Sequence, residues 1–472
     1  MFIGRTEEMK KLCDALKDTD RASLIYGKRR VGKTRLIKEA LKVQDCRFVY
    51  YECIKASIRE NVDALTKILQ DNNMLTFSAT FASFQDVFKY LNSLHEKIVI
   101  VIDEYPYLSA FEDSKAVDSV FQNIIDNHLS NLHLVLSGSQ ISIMKRLLSE
   151  GNALYGRFGL AIQLKELSYI EAAGFYPSKS AYDRIAFYSV FGGSPFVLKE
   201  LREEESLEEN IERSILNESS PVYLYASNIL LTDYSNAVNA ERILSVLGNG
   251  KKKYSDIENR LYSGNNGNLA KQLKTMIDSE LISPNVPINK MNDSKKKYYE
   301  IDDNLLRFYY TYIYNNKSTL QILGNTTFFK EIIEPTLLSE YVPRRFEELC
   351  RRFFEMLAKK GMLPGLTNIG TYYYDDPKRK KNGEFDVALQ FGKNYEIYEV
   401  KYYKKPMTLD EIHSEIGQIN DIRELSISKI GFIAVNGFEN DTEEYIYYTG
   451  DDLFRDTKHH FVTEETQKAF SR

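Results

Sequence analysis

Short apolar runs separated by amphipathic stretches mark the first third of the chain. Ala22 to Tyr26, Ile98 to Ile102 and Leu132 to Leu136 each have the length of one strand and little polar alternation. Runs of that kind suit strands buried on both faces, as in a parallel sheet covered by helices. Strand-like and helix-like segments alternate from Ser23 to about Leu164, which predicts a doubly wound α/β sheet. A helix-rich stretch follows. From Ala240 to about Asp303 the pattern predicts helices over Glu241 to Leu247, Tyr254 to Leu261 and Leu269 to Ser279. Strands then follow at Leu281-Ile282 and at Lys297 to Ile301, around the turn-rich Asn292-Asp293-Ser294. In the last third, Arg345 opens a helix running toward Leu357. Glu384 to Leu389 and Tyr395 to Lys401 alternate as two strands of a hairpin around Gly392-Lys393-Asn394. Ile430 to Val435 reads as a further apolar strand.

The order of helices and charged hairpin after Ala240 predicts a winged helix. Lys271 and Lys274 fall on the exposed side of its recognition helix and Lys295-Lys296-Lys297 on its wing. Cations placed there can meet nucleic-acid phosphate, or can be the solvated face of a domain that only links its neighbours. At 472 residues the chain exceeds one hydrophobic core, and 43% hydrophobic residues support compact folding. No apolar run is long enough to span a membrane and Met1 to Glu8 has no leader pattern, so the expected location is the cytoplasm. Four cysteines without a C-x-x-C pair, and six histidines, suggest neither a zinc site nor a disulfide framework. A net charge of -5 exerts no global pull on nucleic acid, so any such contact must come from local patches.

The sharpest chemical signal is Gly27-Lys28-Arg29-Arg30-Val31-Gly32-Lys33-Thr34, a complete G-x-x-x-x-G-K-[ST] loop between a strand and the helix that begins at Arg35. Its glycines let backbone N–H groups turn inward around phosphate oxygens. Lys33 adds a charge at the β/γ-phosphates, and the Thr34 hydroxyl is placed for Mg²⁺. The strand Ile98 to Ile102 ends in Asp103-Glu104, where Asp103 would hold Mg²⁺ through water and Glu104 would direct the attacking water. Leu132 to Leu136 runs into Ser137-Gly138-Ser139, which puts a polar side chain in reach of the γ-phosphate or its water.

These motifs, with Phe2-Ile3-Gly4-Arg5-Thr6-Glu7-Glu8, Gly156-Arg157 and Gly193-Ser194-Pro195, resemble the AAA+-like P-loop ATPases of the signal-transducing STAND type, especially the archaeal-type ATPases. The resemblance implies that the segment around Arg5 lines the adenine side, that Arg157 contacts phosphate, and that the turn at Pro195 sits in a helical lid. An arginine at position 157 suits a surface ion pair equally well. The nucleotide-binding set is then Arg5, Gly27, Arg30, Gly32, Lys33, Thr34, Arg35, Asp103 and Ser139, with ATP and Mg²⁺ as cofactors, Thr34 and Asp103 as metal ligands, and Glu104 and Arg157 as catalytic residues.

In the C-terminal hairpin, Glu399 and Lys401 project from one face and Asp386 can converge on them from the partner strand. Carboxylates of this kind supply hard oxygens for a divalent cation, while a lysine orients water. A surface salt bridge uses the same residues. The spacing, with Asp386 thirteen positions before an E-x-K triplet, resembles the PD-(D/E)xK nuclease core. That resemblance implies Mg²⁺-dependent phosphodiester cleavage by Asp386, Glu399 and Lys401, with Asp386 and Glu399 on the metal, Glu347 as a further acid and a polar residue from Glu415-Ile416-Gly417-Gln418. Phe385 stands where the family often has proline. The basic run Lys378-Arg379-Lys380-Lys381 and Lys404-Lys405 flank the site, and Tyr372, Tyr373, Tyr374, Tyr402 and Tyr403 interleave with them, as on nucleic-acid surfaces or in ordinary strand packing. The expected organisation is a P-loop ATPase domain with helical lid over 1–235, a winged helix over 236–315 and an α/β nuclease-like domain over 316–472. The expected partner is DNA, with a protein partner or a homo-oligomer left open, and no membrane.

Overall fold

The computed structural model describes residues 2–75, 80–109, 112–233, 237–261, 268–376, 381–420, 422, 425–440, 442, 444–455 and 461–462. The chain divides into two compact units, Met1–Leu167 with Ser194–Phe196 and His460–Arg472, and Ser168–Gly193 with Val197–His459.

The first unit is built on five strands, β1 (Arg21–Tyr26), β2 (Arg47–Glu52), β3 (Ile98–Asp103), β4 (Leu132–Gly138) and β5 (Phe158–Gln163). They lie in the order β2-β3-β4-β1-β5, every pair parallel. The apolar runs are explained by two cores, one on each face. Ile98, Ile100 and Ile102 enter one cluster with Leu134 and Leu136, while Val99 and Val101 enter the other with Ile25 and Val135. Successive side chains alternate faces, so a strand covered on both sides has no polar position to spare. Helix α1 (Thr6–Ala15) and helix α2 (Lys33–Lys42) pack on the second core through Leu12, Leu36 and Ile37. Because β4 lies between β1 and β3, three loops gather at the C-terminal ends of adjacent strands: the glycine loop after β1, Asp103-Glu104 at the end of β3, and Ser139 after β4. In open α/β sheets that edge is where ligands bind.

In the second unit, α3 (Ala181–Phe191) precedes a compact group formed by α4 (Ala237–Leu247), α5 (Tyr254–Leu261), α6 (Asn268–Asp278) and three strands. These strands, β6 (Lys252–Lys253), β7 (Ile282–Asn285) and β8 (Tyr298–Ile301), form an antiparallel sheet in the order β6-β8-β7. Lys271 and Lys274 are exposed on α6. A helical path with wide π-type turns at Tyr309–Ile313, Phe329–Ile333 and Leu337–Tyr341 leads into α7 (Val342–Lys359). Phe346, Leu349, Phe353 and Phe354 form the buried stripe of α7, at the spacing of one helical face.

A mixed five-stranded sheet follows, β9 (Asn368–Asp376), β10 (Lys381–Phe391), β11 (Asn394–Lys401), β12 (Ile427–Ala434) and β13 (Ile446–Thr449), in sequential order. The first two pairings are antiparallel and the last two parallel, with α8 (Leu409–Asn420) crossing between β11 and β12. Gly392, at φ 63°, makes the hairpin turn that a Cβ would disfavour. Of the basic run before Asp386, residues 378–380 lie outside the described residues.

Candidate functional site

The glycine loop folds tightly against its own sheet. A Cβ at Gly27 would lie 2.1 Å from the Leu164 carbonyl oxygen, and one at Gly32, where φ is 101°, would lie 3.7 Å from Pro195. The first glycine is therefore fixed by close approach and the second by a left-handed turn into α2. Lys33 is buried and its ammonium donates to the carbonyls of Gly27 and Lys28, both at 3.0 Å, so its charge sits inside the loop. Arg30, also left-handed at φ 63°, lays its guanidinium 3.6 Å over the Phe196 ring. The Ser194 hydroxyl donates to the Arg30 carbonyl at 3.5 Å. Arg5 is buried and donates to the carbonyls of Val31, at 3.1 Å, and Lys165. It therefore braces the loop from behind. Arg35 pairs with Glu39 at 2.7 Å along α2.

Opposite the loop, the Thr34 hydroxyl donates to Asp103 Oδ2 at 3.0 Å, and the Tyr50 hydroxyl donates to the same oxygen. Asp103 Oδ1 accepts from the Glu104 amide at 2.9 Å. Burial and the adjacent Asp103 carboxylate push the Tyr50 hydroxyl well above the ordinary tyrosine range, so it stays protonated and a donor. Glu104 is left-handed at φ 51°, a rare conformation for a side chain of this size, and its carboxylate accepts from the Ser139 hydroxyl at 2.8 Å and amide at 3.2 Å. The Thr34 hydroxyl and Asp103 carboxylate are hard oxygen donors one hydrogen bond apart, the chemistry a Mg²⁺ ion requires. Arg157 makes a two-pronged pair with Asp126, at 2.8 and 2.9 Å, and donates to the Ala153 carbonyl, so in this structure its charge is engaged there.

In the second unit, Lys401 is held between Glu399, at 2.7 Å, and Glu415 of α8, at 2.9 Å. Asp386 and Glu347 line one wall of a cleft. Burial foremost, then the Glu347 and Glu399 carboxylates, push the Asp386 carboxyl well above its ordinary range. Burial raises Glu347 and Glu399 in the same direction, although Arg351 opposes the shift at Glu347 and Lys401 at Glu399. Arg351 donates to the Asp386 carbonyl at 2.6 Å, tying α7 to β10. Among the described residues no three His, Cys, Asp or Glu side chains are gathered to hold a metal ion. Asp386 is opposed by both the Glu347 and the Glu399 carboxylates, yet Glu399 is turned to Lys401 and the acids do not form a ready-made cation site.

Residues 2–201 match a family described as an ATPase domain predominantly from Archaea. This part of the chain is therefore similar to an archaeal-type ATPase domain. Residues 309–414 match a family described as archaeal and bacterial proteins of unknown function. An uncharacterised protein of Methanocaldococcus jannaschii is 29% identical over 369 residues, which span 77% of this chain and 80% of that protein. Among solved structures, a Walker-type ATPase of Pyrococcus abyssi is similar at 18% identity and a TM-score of 0.51, covering 66% of this chain and 96% of its own. At that identity the likeness shows the fold. The Aeropyrum pernix ORC2 protein is similar at 10% identity and a TM-score of 0.44, over 68% of this chain and 97% of its own.

The first unit thus joins Thr34 to Asp103 and Ser139 to Glu104, with Lys33 folded inside the adjoining loop. Sequence reasoning missed Tyr50, which reaches Asp103 because β2 and β3 pair with Tyr50 opposite Val101. It also missed Phe196, which sits beneath Arg30. Of the tyrosines that interleave with cations in the sequence, Tyr372, Tyr374 and Tyr402 follow the packing alternative, while Tyr373 lies under the Lys296 ammonium at 3.5 Å. Tyr374 lies 5.0 Å from the Phe385 ring, and Tyr402 stacks at 4.3 Å on Tyr182. No helix among the described residues is long and apolar enough to cross a membrane.

Proposed function

We propose that the chain is an ATP-hydrolysing switch whose nucleotide state controls a nuclease-like C-terminal domain acting on DNA. The observation that carries the first half is the contact between Thr34 and Asp103 beside a buried Lys33. Lys33 would leave the loop carbonyls to meet the β/γ-phosphates, and Thr34 and Asp103 would hold Mg²⁺, which would neutralise charge on the transferred phosphoryl group. Arg5 keeps the loop's shape. Glu104 orients water at the γ-phosphate, and Ser139 holds its carboxylate in the meantime. A phosphate contact by Arg157 requires that it first release Asp126. Titration with fluorescent ATP should saturate for the wild type and not for Lys33→Ala, and equal saturation would remove the loop from the mechanism.

For the second half, the raised carboxyls of Asp386, Glu347 and Glu399 support a phosphodiester-handling site, since burying acids beside one another is costly and such perturbed groups cluster at functional sites. Cleavage requires Glu399 to leave Lys401. In this reading residues 236–315 are a winged helix connecting the two ends, with Lys271, Lys274 and Lys295-Lys296-Lys297 against DNA, and 316–472 is the nuclease-like domain. With Mg²⁺ or Mn²⁺ the protein should nick DNA and Lys401→Ala should not. A second reading, a nucleotide-dependent switch whose C-terminal domain only binds DNA or a protein partner, draws support from Lys401 being neutralised on two sides. Absence of nicking by wild type with either metal, with DNA binding retained, selects that reading.

A further inference from the structure

The cleft that carries Asp386 has a volume of about 460 Å³ and lies wholly within the second unit. One wall is the acidic end of β10 and α7, with Glu347, Glu384 and Asp386. The other is the turn between α4 and β6, Gly248-Asn249-Gly250-Lys251. Lys251 reaches across to Glu384 Oε2 at 2.7 Å and closes one side. Arg344, 65% exposed, and Arg351 add cationic charge along the cleft. Gly250, at φ 94°, is in the left-handed region, so a larger residue would strain the turn, and a Cβ there would come into ordinary contact, 4.0 Å, with an Arg344 nitrogen.

Three polar atoms in this lining are buried and have no hydrogen-bond partner among the described residues: the hydroxyl of Thr371, a residue only 5% exposed, Glu384 Oε1 and Arg307 Nε. Buried polar groups are nearly always satisfied, and unsatisfied ones at a cleft point to a ligand that supplies the partner. The ligand must therefore be polar on one side, anionic where it meets Lys251, Arg344 and Arg351, and small enough to enter. A volume of about 460 Å³ falls in the range that encloses one small organic molecule the size of a nucleotide. A duplex offers no such protrusion unless a nucleotide is extruded from the stack.

We propose that this cleft receives an unpaired nucleotide of a nucleic-acid strand. Its phosphate is met by Lys251 and Arg344, its polar edge by Thr371 and Glu384, and its backbone is thereby led past Asp386. The inference rests on the nuclease-like reading for its ligand class, and it makes the α4–β6 turn part of the binding site rather than a connector. Lys251 must exchange Glu384 for phosphate when the strand enters.

The test uses the full-length protein in EDTA, so that binding is read whether or not the domain can cut. Fluorescence anisotropy would compare labelled single-stranded oligonucleotides, one DNA and one RNA, with a relaxed DNA duplex closed into a covalent circle, which has neither a free end nor unpaired loop nucleotides. Lys251→Glu, at a side chain 41% exposed, should weaken binding of at least one single strand tenfold or more and leave the closed duplex within twofold. Arg344→Glu should act in the same direction, and thermal midpoints near wild type for both variants exclude misfolding. A loss shared equally by single strand and duplex, a loss confined to the duplex, or no loss in either variant overturns the proposal. Absence of nicking in Mg²⁺ or Mn²⁺ would instead strike the cleavage reading alone.

Discussion

Replacing Glu300 by glutamine tests whether a buried chain of charges holds the second unit together. Glu300 on β8 faces Arg307 at 2.9 Å and Arg345 of α7 at 3.4 Å. Arg345 continues to Glu348 at 2.6 Å, and Glu348 to Arg352 at 2.5 Å. Arg352 then donates to the Tyr188 hydroxyl of α3 at 3.3 Å. The side chains of Glu300, Arg307 and Arg345 are only 14%, 10% and 9% exposed, so water replaces little of what is lost. Removing one member of a buried pair costs about 3–5 kcal/mol, because the other charge is stranded. Arg345 keeps Glu348 and Arg307 keeps the Ile301 carbonyl, which places Glu300→Gln at the lower end, about 3 kcal/mol. In a unit of this size about 1 kcal/mol moves the midpoint by about 2 °C, so the expected fall is about 6 °C. The assay is circular dichroism on heating near pH 7, with Arg307→Met and the double variant completing a cycle. A fall under about 2 °C, or additive single effects, would refute the account. The pH dependence has a definite sign. The arginines hold Glu300 and Glu348 below the ordinary carboxylate range despite their burial. Their contribution is therefore full above the unfolded value of about 4.3 and is lost as pH falls toward the folded values.

Asp386→Asn should do the opposite to stability. Its carboxyl is raised in the fold, so its stabilising share is present below the unfolded value of about 3.9 and is lost as pH rises. The asparagine variant should melt higher than wild type near pH 7 and alike near pH 3, and a lower midpoint at neutral pH would contradict the crowding described here. Glu104→Gln should retain nucleotide affinity while hydrolysis falls about 100-fold or more, read as released phosphate, and undiminished turnover would exclude Glu104 as the water-directing group. Tyr50→Phe removes one of two hydroxyls on Asp103 Oδ2, so the Mg²⁺ concentration for half-maximal hydrolysis should shift while ATP binding in EDTA does not. An unchanged Mg²⁺ dependence would reduce Tyr50 to packing.

What could be read from the sequence follows from how far apart the cooperating residues lie. The glycine loop was legible because all its chemistry sits in eight consecutive positions and its neighbours fix strand before and helix after. Strand β3 was legible because burial on both faces leaves an unmixed apolar run, and the β10–β11 hairpin because its turn is local. Tyr50 was not, since its role depends on which strand lies beside β3. The charge chain was not either. Its members come from β8, α7 and the helix between them, and nothing in the spacing of Glu300, Arg307, Arg345, Glu348 and Arg352 distinguishes a buried ladder from a solvated face. Strand β9 was hidden by its tyrosines, whose alternate rings pack on Phe385 rather than presenting a stacking platform.

The wide turns at Tyr309–Ile313, Phe329–Ile333 and Leu337–Tyr341 set the angular phase of everything that follows them. Each residue added to or deleted from a helix rotates its downstream half by about 100°. Inserting a single position between Phe329 and Tyr341, however conservative for composition, would swing Glu347 around the axis of α7 and bring Phe346, a member of the hydrophobic stripe, into its place. Length in this stretch is therefore under tighter constraint than identity, and a carboxylate on α7 meets Asp386 only because the count of residues before it is right.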